Sequence, residues 1–513
     1  MIRNAKPKLR LRETKHPILY EVNVRVLLNE VSAREGKRVT LGTLPDRILD
    51  EWAGLGFDAV WLMGVWTIGE ISRSISRTHE GLLAEYRKVL SDFTEEDVAG
   101  SPYSVLEYVV PRALGGNAGL KKLRGRLADR GMALVLDFVG NHTARDHGWV
   151  YTHPEYFISG EPGDDERRPE IYFKATTVRG DQVLAYGRDP TFPGWTDTAQ
   201  LNPISIPART AIIAELRRVA ELCDGVRCDM AMLLLRGVFL LTWGDRVMAP
   251  ASERATREFW DEAIESVRKE FPSFMFIAEA YWNLEWQLQQ LGFSCTYDKV
   301  LYDRLLREGA GSVRDHLRAE PDYQNRSLRF IENHDEPRAS RAFGSEAWLY
   351  AAAVVMSTVP GFAMYHEGQL QGRAQRTPIQ LGRRPQEAPA ENTQRFYRQL
   401  LKVVQHDLFR SGEWSLLPPR AAWHDNYTWQ NYLIFWWQGK AGGARLVVVN
   451  YAPHTGQCYV ELPAQHLPGV SVEFRDRMSD ATYVRDRASL TTRGMYFDLP
   501  PYGFHVFEVL KAK

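Results

Sequence analysis

The sequence predicts an α/β protein, because three patterns follow one another along its 513 residues. Short β-rich runs alternate with helical patterns up to about residue 366, which indicates parallel strands joined by helices. A segment rich in Gly, Pro, Asp and aromatic residues, about 143–207, follows the third run and is too long for an ordinary loop. From about Gly412 onward, alternating apolar runs are separated by Pro and Gly turns. The predicted fold is a (β/α)8 TIM barrel with an inserted subdomain after strand 3 and a C-terminal antiparallel β-sandwich domain.

Eight β-rich runs support the barrel, since eight parallel strands favour a closed barrel over an open sheet. They are Ile18–Val26, Ala59–Met63, Met132–Phe138, Cys223–Asp229, Phe274–Glu279, Phe293–Tyr297, Leu328–Asn333 and Phe362–His366. The predicted domains are the barrel at 1–142 and 208–411, the inserted subdomain at 143–207, and the C-terminal domain at 412–513.

Two further segments bear on the architecture. The connection after the second run contains a helical pattern from Glu80 to Leu90, whose charges we interpret as a solvated face. In the C-terminal domain, aromatic and apolar side chains alternate between the two faces of a strand pair. One face carries Tyr427, Trp429, Leu433, Phe435 and Trp437, and the other carries Tyr432, Ile434 and Trp436. We expect core and inter-domain packing here, with a sugar-binding platform as the alternative.

Composition excludes several classes of function. Lys plus Arg and Asp plus Glu are each 64, so the chain has no basic field for nucleic acid. No run approaches the roughly 20 apolar residues that a membrane span needs. The first twelve residues are basic but lack the apolar core of a signal peptide, so we expect a cytoplasmic protein. The four cysteines show no CxxC spacing, which predicts neither disulfides nor a zinc site.

Acidic residues recur at the ends of four different predicted strands. Asp137, Asp229, Glu279 and Asp335 each lie at or just past the C-terminal end of a run. Active sites of barrels are built on that face, and a buried carboxylate is costly unless it is paired or hydrogen-bonded. Each residue alone could belong to a structural ion pair.

Further polar residues lie at the same strand ends. These are Arg227, His142, Asn333 and His334. Packing alone would not call for such a ring of polar groups, so the pattern favours a catalytic site.

Four short motifs surround these residues. They read Asp-Phe-Val-Gly-Asn-His (137–142), Gly-Val-Arg-Cys-Asp (225–229), Ile-Ala-Glu-Ala (277–280) and Glu-Asn-His-Asp (332–335). Their sequence and order resemble the four signature regions of the α-amylase family, glycoside hydrolase family 13. The eight-run barrel, the insertion after the third run and the C-terminal β domain extend the resemblance over nearly the whole chain.

The resemblance implies a role for each carboxylate. Asp229 corresponds to the nucleophile, Glu279 to the general acid/base, and Asp335 to the carboxylate that grips the sugar hydroxyls. Such a pair serves a retaining glycosidase, in which one carboxylate attacks the anomeric carbon and the other protonates the leaving oxygen. Arg227 lies two residues before Asp229 and therefore on the same side of the strand, where it favours the charged nucleophile. Glu279 follows an apolar run, and a less polar setting raises a carboxyl pKa toward the acid role.

Other positions are expected to bind the sugar or to support the site. His142 and His334 correspond to hydrogen-bond donors to the sugar, and Tyr103 is the nearest candidate for stacking on it. Trp282 either stacks on the leaving-group sugar or packs in the ordinary way. Three further residues are expected to support the site without touching the sugar: Asp137, Asn141 and Asn333. Asp137 is expected to lie beside Arg227.

Two departures from the family pattern affect specificity and metal binding. Typical α-amylases have Lys-His where this chain has Met232 and Leu233, which predicts a more apolar leaving-group side. The inserted subdomain reads Gln200-Leu201-Asn202 where calcium-binding members offer a carboxylate, so the site loses a charged ligand. We therefore expect no cofactor and no metal, and calcium is the alternative to be tested.

The sequence favours a retaining hydrolase of α-linked glucosides, such as α-glucans or malto-oligosaccharides. The first alternative is an intracellular transglycosylase, because hydrolysis and transfer share one covalent intermediate. The second is a non-catalytic sugar-binding relative, which would be expected to lack one of the three carboxylates. The linkage, the preferred chain length and the oligomeric state are set by loops rather than motifs, and the sequence leaves them open.

Overall fold

A computed structural model describes residues 14–247, 251–440 and 442–512. Eight parallel strands close into a barrel in the spatial order β1-β14-β13-β12-β11-β10-β5-β2, which confirms the predicted fold class. The strands of this part of the chain are β1 (Ile18–Asn23), β2 (Ala59–Met63), β3 (Thr67–Ile68), β4 (Val105–Glu107), β5 (Ala133–Phe138), β6 (His142–Ala144), β7 (Tyr172–Thr177), β8 (Gly180–Ala185), β9 (Thr198–Gln200), β10 (Gly225–Cys228), β11 (Met275–Ala278), β12 (Cys295–Tyr297), β13 (Ser327–Arg329) and β14 (Phe362–His366).

Helices connect these strands and surround the barrel. They are α1 (Val24–Glu35), α2 (Asp46–Gly54), α3 (Glu70–Thr78), α4 (Glu80–Val89), α5 (Gly116–Ala128), α6 (Gly148–Thr152), α7 (Asp164–Arg167), α8 (Ile206–Leu222), α9 (Arg236–Trp243), α10 (Phe259–Glu270), α11 (Glu285–Gln290), α12 (Lys299–Arg307), α13 (Ala310–His316), α14 (Pro321–Asn325), α15 (Ala339–Ala342), α16 (Glu346–Thr358), α17 (Glu391–Val404) and α18 (Asp407–Ser411). The helical pattern predicted from residue 80 corresponds to α4.

The first strand is shorter than predicted, because a helix cap interrupts it. The side chain of Asn23 accepts hydrogen bonds from the backbone N–H groups of Arg25 and Val26, at 3.1 and 3.3 Å. This is the ordinary N-cap of a helix, so α1 begins at Val24 and the predicted strand end at Val26 is wrong. The connection from barrel strand to helix is consequently very short at this point.

Alternation along β1 separates the barrel interior from the helix layer. Leu19 belongs to the apolar cluster inside the barrel, together with Trp61 and Tyr297, whereas Tyr20 and Val22 pack among the outer helices. Glu21 lies between these two and shares the inward face with Leu19. A fully buried carboxylate therefore faces the inside of the barrel.

The insertion between the third and fourth barrel strands is a small β subdomain. β6 pairs with β9, and β7 pairs with β8, both antiparallel. The β6–β9 pair begins at His142, directly after the third barrel strand. The subdomain is thereby attached to the catalytic face that the sequence predicts.

The C-terminal region contains one six-stranded and one three-stranded antiparallel sheet. Its elements are β15 (Glu413–Leu416), β16 (Pro419–Arg420), β17 (Tyr432–Gln438), β18 (Ala444–Asn450), β19 (Gly456–Val460), β20 (Ser471–Asp476), β21 (Thr482–Asp486), α19 (Arg487–Arg493), β22 (Met495–Leu499) and β23 (Phe504–Lys511). The two sheets enclose their own apolar core.

β17 serves two cores with its two faces, as the alternation predicts. Leu433, Phe435 and Trp437 pack with the large cluster that surrounds the barrel, and the alternate side chains pack inside the C-terminal sandwich. Tyr427 precedes the strand and is 71% exposed, so it is not part of either core.

All four cysteines are buried and unpaired. None of the helices in the described ranges has the length and apolar character that crossing a bilayer requires.

Candidate active site

Arg227 lies at the centre of the polar ring that the sequence predicts. It is on β10, in register with Asp137 of β5 and Ile277 of β11. Its Nη1 atom is 2.6 Å from Asp229 Oδ1, and its Nη2 atom is 2.8 Å from Glu279 Oε2. One fully buried guanidinium therefore holds both carboxyl groups and brings them close together.

Three aromatic rings surround this guanidinium. The Cζ atom of Arg227 is 5.3 Å from the ring centroid of Trp61, 5.1 Å from that of Tyr103 and 5.5 Å from that of Tyr297. Its Nε atom also donates to the hydroxyl of Tyr297 at 3.3 Å. Such contacts stabilise a cation away from water and fix the plane of its fork.

Asp229 is the first residue after β10 and is almost completely buried. Burial raises its pKa, while the charge of Arg227 and the hydrogen bond from it act in the opposite direction. The next residue, Met230, adopts a left-handed backbone conformation with φ of 42°. Strain of this kind is retained where the surrounding structure uses it. Here the conformation is associated with a 2.6 Å hydrogen bond from Met230 N–H to Glu279 Oε2.

Glu279 is the first residue after β11 and is also buried. Burial raises its pKa to about 7, against the lowering effect of Arg227. The hydroxyl of Tyr281 donates to its second oxygen at 2.9 Å. A hydroxyl can reverse this bond and accept from a protonated carboxyl, so the contact suits both states of Glu279. The carboxyl is therefore poised to hold a proton near neutral pH.

Asp335 differs from the other two carboxylates, because its side chain is 44% exposed. Its Oδ2 atom is 3.0 Å from Nε2 of His334. Partial loss of water around the carboxylate raises the pKa of Asp335. The charge of His334 and its hydrogen bond outweigh this effect and lower the pKa to about 2. An open, permanently ionised carboxylate is suited to accept hydrogen bonds from a ligand.

His334 lies between acidic groups. Its Nδ1 atom is 2.5 Å from Oε1 of Glu21, and its Nε2 atom is 2.7 Å from the hydroxyl of Tyr103. Tyr103 thus joins the site through His334 and Arg227, and its stacking on a sugar stays a prediction.

Asp137 supports the site from the third barrel strand. Its carboxylate accepts hydrogen bonds from Trp61 Nε1 and from the backbone N–H of Gly64, both at 3.0 Å. Burial raises its pKa to about 6, and the charge of Arg227 beside it lowers it. Asp137 therefore fixes the Trp61 ring that packs on Arg227.

His142 lies at the start of the inserted subdomain and is buried. Its ring is 5.1 Å from the ring of Trp195, which the same subdomain supplies. Burial lowers the pKa of His142 to about 4, so the ring is neutral at physiological pH. Asn141 is buried beside it, and its carbonyl oxygens accept from Nε2 of Gln200.

The remaining predicted residues differ in how closely they join the cluster. Asn333 accepts hydrogen bonds from the backbone N–H groups of Asp335 and Glu336, at 3.0 and 2.9 Å, and so shapes the turn that carries Asp335. Trp282 is 47% exposed beyond the end of β11, in a left-handed conformation with φ of 64°. In the described ranges its ring forms no hydrogen bond, aromatic pair or cation–π contact with the other predicted site residues.

The residues of the site that the sequence analysis missed include Glu21, Tyr281 and Tyr297, and also Trp61, which packs on Arg227. The first three differ in how far the sequence could have revealed them. A signal existed for two of them. Tyr281 lies two residues after Glu279, and Glu21 is an acidic residue within an otherwise apolar strand. Tyr297 ends an apolar run and carries no comparable signal, because its contact with Arg227 depends on barrel closure.

The leaving-group side differs from the expectation. Met232 and Leu233 lie in a short 3-10 helix, Ala231–Leu234, and their exposed fractions are 0% and 3%. Met232 therefore adds no accessible surface to an open cleft, because it packs into the core instead.

The two candidate calcium ligands, Asn141 and Asn202, already take part in hydrogen bonds within the protein. The side-chain oxygen of Asn141 is bonded to Gln200, and that of Asn202 accepts from the backbone of Ile204 at 3.2 Å. Within the described ranges, no group of three or more His, Cys, Asp or Glu residues could hold a metal. Hard cations favour several oxygen ligands, carboxylates above all, and the absence of calcium stays a prediction.

Comparison with known sequences identifies relatives of two activities. The chain is 25% identical over 362 residues to α-amylase MalA of Haloarcula japonica, covering 69% of this chain and 43% of that protein. It is 27% identical over 251 residues to α-1,4-glucan:maltose-1-phosphate maltosyltransferase of Arcanobacterium haemolyticum, covering 48% of this chain and 30% of that one. The matches thus span less than half the length of either relative. No protein-family model matches the chain.

Solved structures of similar fold cover the chain almost completely. A maltogenic α-amylase from Thermotoga neapolitana superposes with a TM-score of 0.66 at 18% identity, over 97% of this chain and 99% of that one. An α-amylase from Lactobacillus plantarum gives 0.65 at 18% identity, with the same coverage. At these identities the likeness establishes the fold.

Proposed function

The chain is a member of the α-amylase family, glycoside hydrolase family 13, and on this premise we propose that it is a retaining enzyme acting on α-linked glucosides. The observation that carries the proposal is the arrangement around Arg227. One guanidinium binds Asp229 and Glu279, and the pKa of Glu279 is raised to about 7. A retaining glycosidase needs this combination of one ionised and one protonated carboxyl group.

The proposed first step breaks the glycosidic bond. Asp229 attacks the anomeric carbon, and Glu279 donates its proton to the leaving oxygen, which departs as a hydroxyl group. Arg227 favours the charged form of the nucleophile, since the ion pair opposes the effect of burial on the pKa of Asp229. Tyr281 and the Met230 N–H hold the carboxyl of Glu279 in place.

The second step releases the sugar from Asp229. Glu279, now ionised, removes a proton from water or from a sugar hydroxyl, and that oxygen attacks the same carbon. Two inversions at one carbon restore the α configuration. Asp335 is open and ionised, and we assign it to the hydroxyl groups of the sugar ring, with His142 as a further donor. Both ring nitrogens of His334 face other side chains, Glu21 on one side and Tyr103 and Asp335 on the other.

Anomeric analysis tests this mechanism. Proton NMR in the first minutes of hydrolysis of maltotriose is expected to show α product before mutarotation produces the β anomer. An inverting enzyme would release β product first, and that order would contradict the assignment of Asp229 as nucleophile.

Transfer to a second sugar is the alternative outcome of the same intermediate. It is supported by the second relative, which is a maltosyltransferase, whereas the first is an α-amylase. We propose a short α-glucan or α-glucoside as the substrate. Burial of Met232 removes the apolar leaving-group surface that the sequence suggested, so the choice between water and sugar acceptors depends on the cleft loops.

A substrate panel separates these outcomes. Maltose, maltotriose, maltoheptaose and gelatinised starch are compared at equal glucose content, and product lengths are followed over time. Products longer than the starting sugar show transfer. A higher kcat/KM on starch than on every oligosaccharide would reject the proposed short substrate.

A further inference from the structure

We propose that Glu21 is a positioning residue, which keeps both ring nitrogens of His334 protonated so that His334 donates to Asp335. The role of Asp335 as a sugar ligand rests on the proposed function. The protonation of His334 does not, and it can be measured without any substrate.

The proposal begins with a hydrogen-bonded chain of three side chains. Oε1 of Glu21 is 2.5 Å from Nδ1 of His334, and Nε2 of His334 is 3.0 Å from Oδ2 of Asp335. Glu21 is 0% exposed, and no hydrogen-bond partner of its Oε2 atom is found in the described part of the chain. His334 is therefore the hydrogen-bond partner of the buried carboxylate of Glu21, and a positive charge on its ring compensates that buried charge.

The hydrogen-bond partners of the two ring nitrogens determine the protonation state of the His334 imidazole. An ionised carboxylate can only accept, so a ring nitrogen beside it must donate. Nδ1 faces Glu21 and Nε2 faces Asp335, so each nitrogen needs its own proton. A neutral ring that accepts from the Tyr103 hydroxyl would instead point a lone pair at Asp335. The ring is consequently an imidazolium, whose positive charge holds Asp335 in place.

The surrounding charges support the same state. Asp137 and Asp229 interact with His334 as further negative charges, and Arg227 acts on the neighbouring Asp335, whose pKa it lowers. His366, in register with Glu21 on the neighbouring strand, has a pKa lowered well below its usual value by burial and is neutral. Although burial disfavours the charged ring, Asp335 and Glu21 raise the pKa of His334 well above its ordinary value. Loss of the Glu21 charge removes one of the two main interactions that raise the pKa of His334.

Removing the negative charge of Glu21 is expected to lower the pKa of His334. In Glu21→Gln the pKa of His334 falls, so the ring is still charged at pH 5 and becomes neutral as the pH rises. The ratio of kcat/KM for this variant to that of the native protein is expected to fall by about 10- to 100-fold between pH 5 and pH 8, as a charge-assisted hydrogen bond is lost. A purely structural role would give a ratio independent of pH. Glu21→Asp restores the charge and is expected to recover part of the activity at pH 8.

Glu367→Gln is the matched control. Glu367 is buried at the end of the neighbouring strand β14, but it pairs with Arg384 at 3.0 Å and has no contact with His334. The ratio of kcat/KM for Glu367→Gln to kcat/KM for the native protein is expected to be independent of pH. A pH-independent ratio for Glu21→Gln, or an equal pH-dependent loss in Glu367→Gln, would overturn the proposal.

Direct titration decides the matter even if Glu21→Gln does not fold. The protein is labelled with ¹⁵N-histidine, and the His334 signals are assigned from His334→Gln. Both ring nitrogens of native His334 are expected to stay protonated from pH 5 to 8.5. A neutral imidazole at pH 7 would refute the positioning role, whether or not the protein cleaves a glucoside.

Discussion

Arg227 links the protonation of the two buried carboxyl groups. Because Asp229 and Glu279 share one guanidinium, removing a proton from either affects the other, and the pair titrates as a unit. Burial raises the pKa of both groups, whereas the positive charge of Arg227 lowers both and that of His334 lowers the pKa of Asp229. The proposed mechanism requires one proton on this pair, and the raised pKa of Glu279, about 7, favours Glu279 as the residue that carries it.

Replacing either carboxylate tests the catalytic roles. Asp229→Asn and Glu279→Gln are each expected to lower turnover by at least about 10³-fold, because each removes an essential chemical role while preserving size. Thermal unfolding should show that both variants remain folded. Near-normal turnover in either folded variant would reject its assignment.

The pH profile tests the raised pKa of Glu279. The acid must hold its proton, so kcat/KM is expected to be highest below pH 7 and to fall about tenfold per pH unit above it. The measurement is kcat/KM on maltotriose from pH 5 to 9, fitted for the alkaline pKa. A fall centred near the ordinary glutamic acid value of 4.5, or no fall up to pH 9, would contradict the assignment.

At the scale of elements, β17 joins the barrel to the C-terminal sandwich. Trp437 is almost fully buried on the face towards the barrel, and its Nε1 atom donates to the carbonyl of Thr358 at 2.8 Å. Its ring is 5.2 Å from His16 and 5.7 Å from Phe409. One strand thus supplies the packing on both sides of the domain boundary.

Truncating Trp437 tests whether β17 stabilises the contact between the barrel and the C-terminal sandwich. Trp437→Ala is expected to lower the free energy of unfolding by about 3–5 kcal/mol, since it leaves a cavity and an unpaired carbonyl. Tyr427→Ala, at an exposed aromatic position just before the same strand, is expected to stay within about 0.5 kcal/mol of the native protein. Urea unfolding measures both. Equal destabilisation by the two variants would show that β17 does not stabilise this contact.

At the scale of the whole molecule, the inserted subdomain closes one side of the catalytic face. Its β6–β9 pair brings Gln200 against Asn141 and Trp195 against His142. Amide hydrogen bonds hold the subdomain to the segment that follows the third barrel strand. The attachment therefore depends on neutral hydrogen bonds.

Calcium is accordingly expected to be dispensable. Dialysis against a chelator should leave the melting temperature and kcat unchanged, because the Gln200-Leu201-Asn202 segment offers no carboxylate to bind calcium. Differential scanning calorimetry and activity with and without added calcium provide the measurement. A chelator-induced loss that calcium reverses would contradict the expectation.

The sequence by itself determined the barrel, the insertion, the C-terminal β domain and the candidate carboxylates. Strand and helix periodicities are local, and parallel barrel strands place their C-terminal ends on one face, so residues at those ends could be grouped without coordinates. Asp229, Glu279 and Asp335 stand next to strand ends in recognisable motifs. The roles of these residues remain predictions that the proposed experiments test.

Only the tertiary structure decided which side chains share a proton or a charge. The fork of Arg227 reaches Glu279 on a different strand, and Glu21 meets His334 across 313 positions of sequence. The burial of Met232, which removes the expected apolar surface, likewise follows from packing of a loop against the core. Electrostatic coupling and desolvation depend on distances in space, and no local pattern in the sequence encodes those distances.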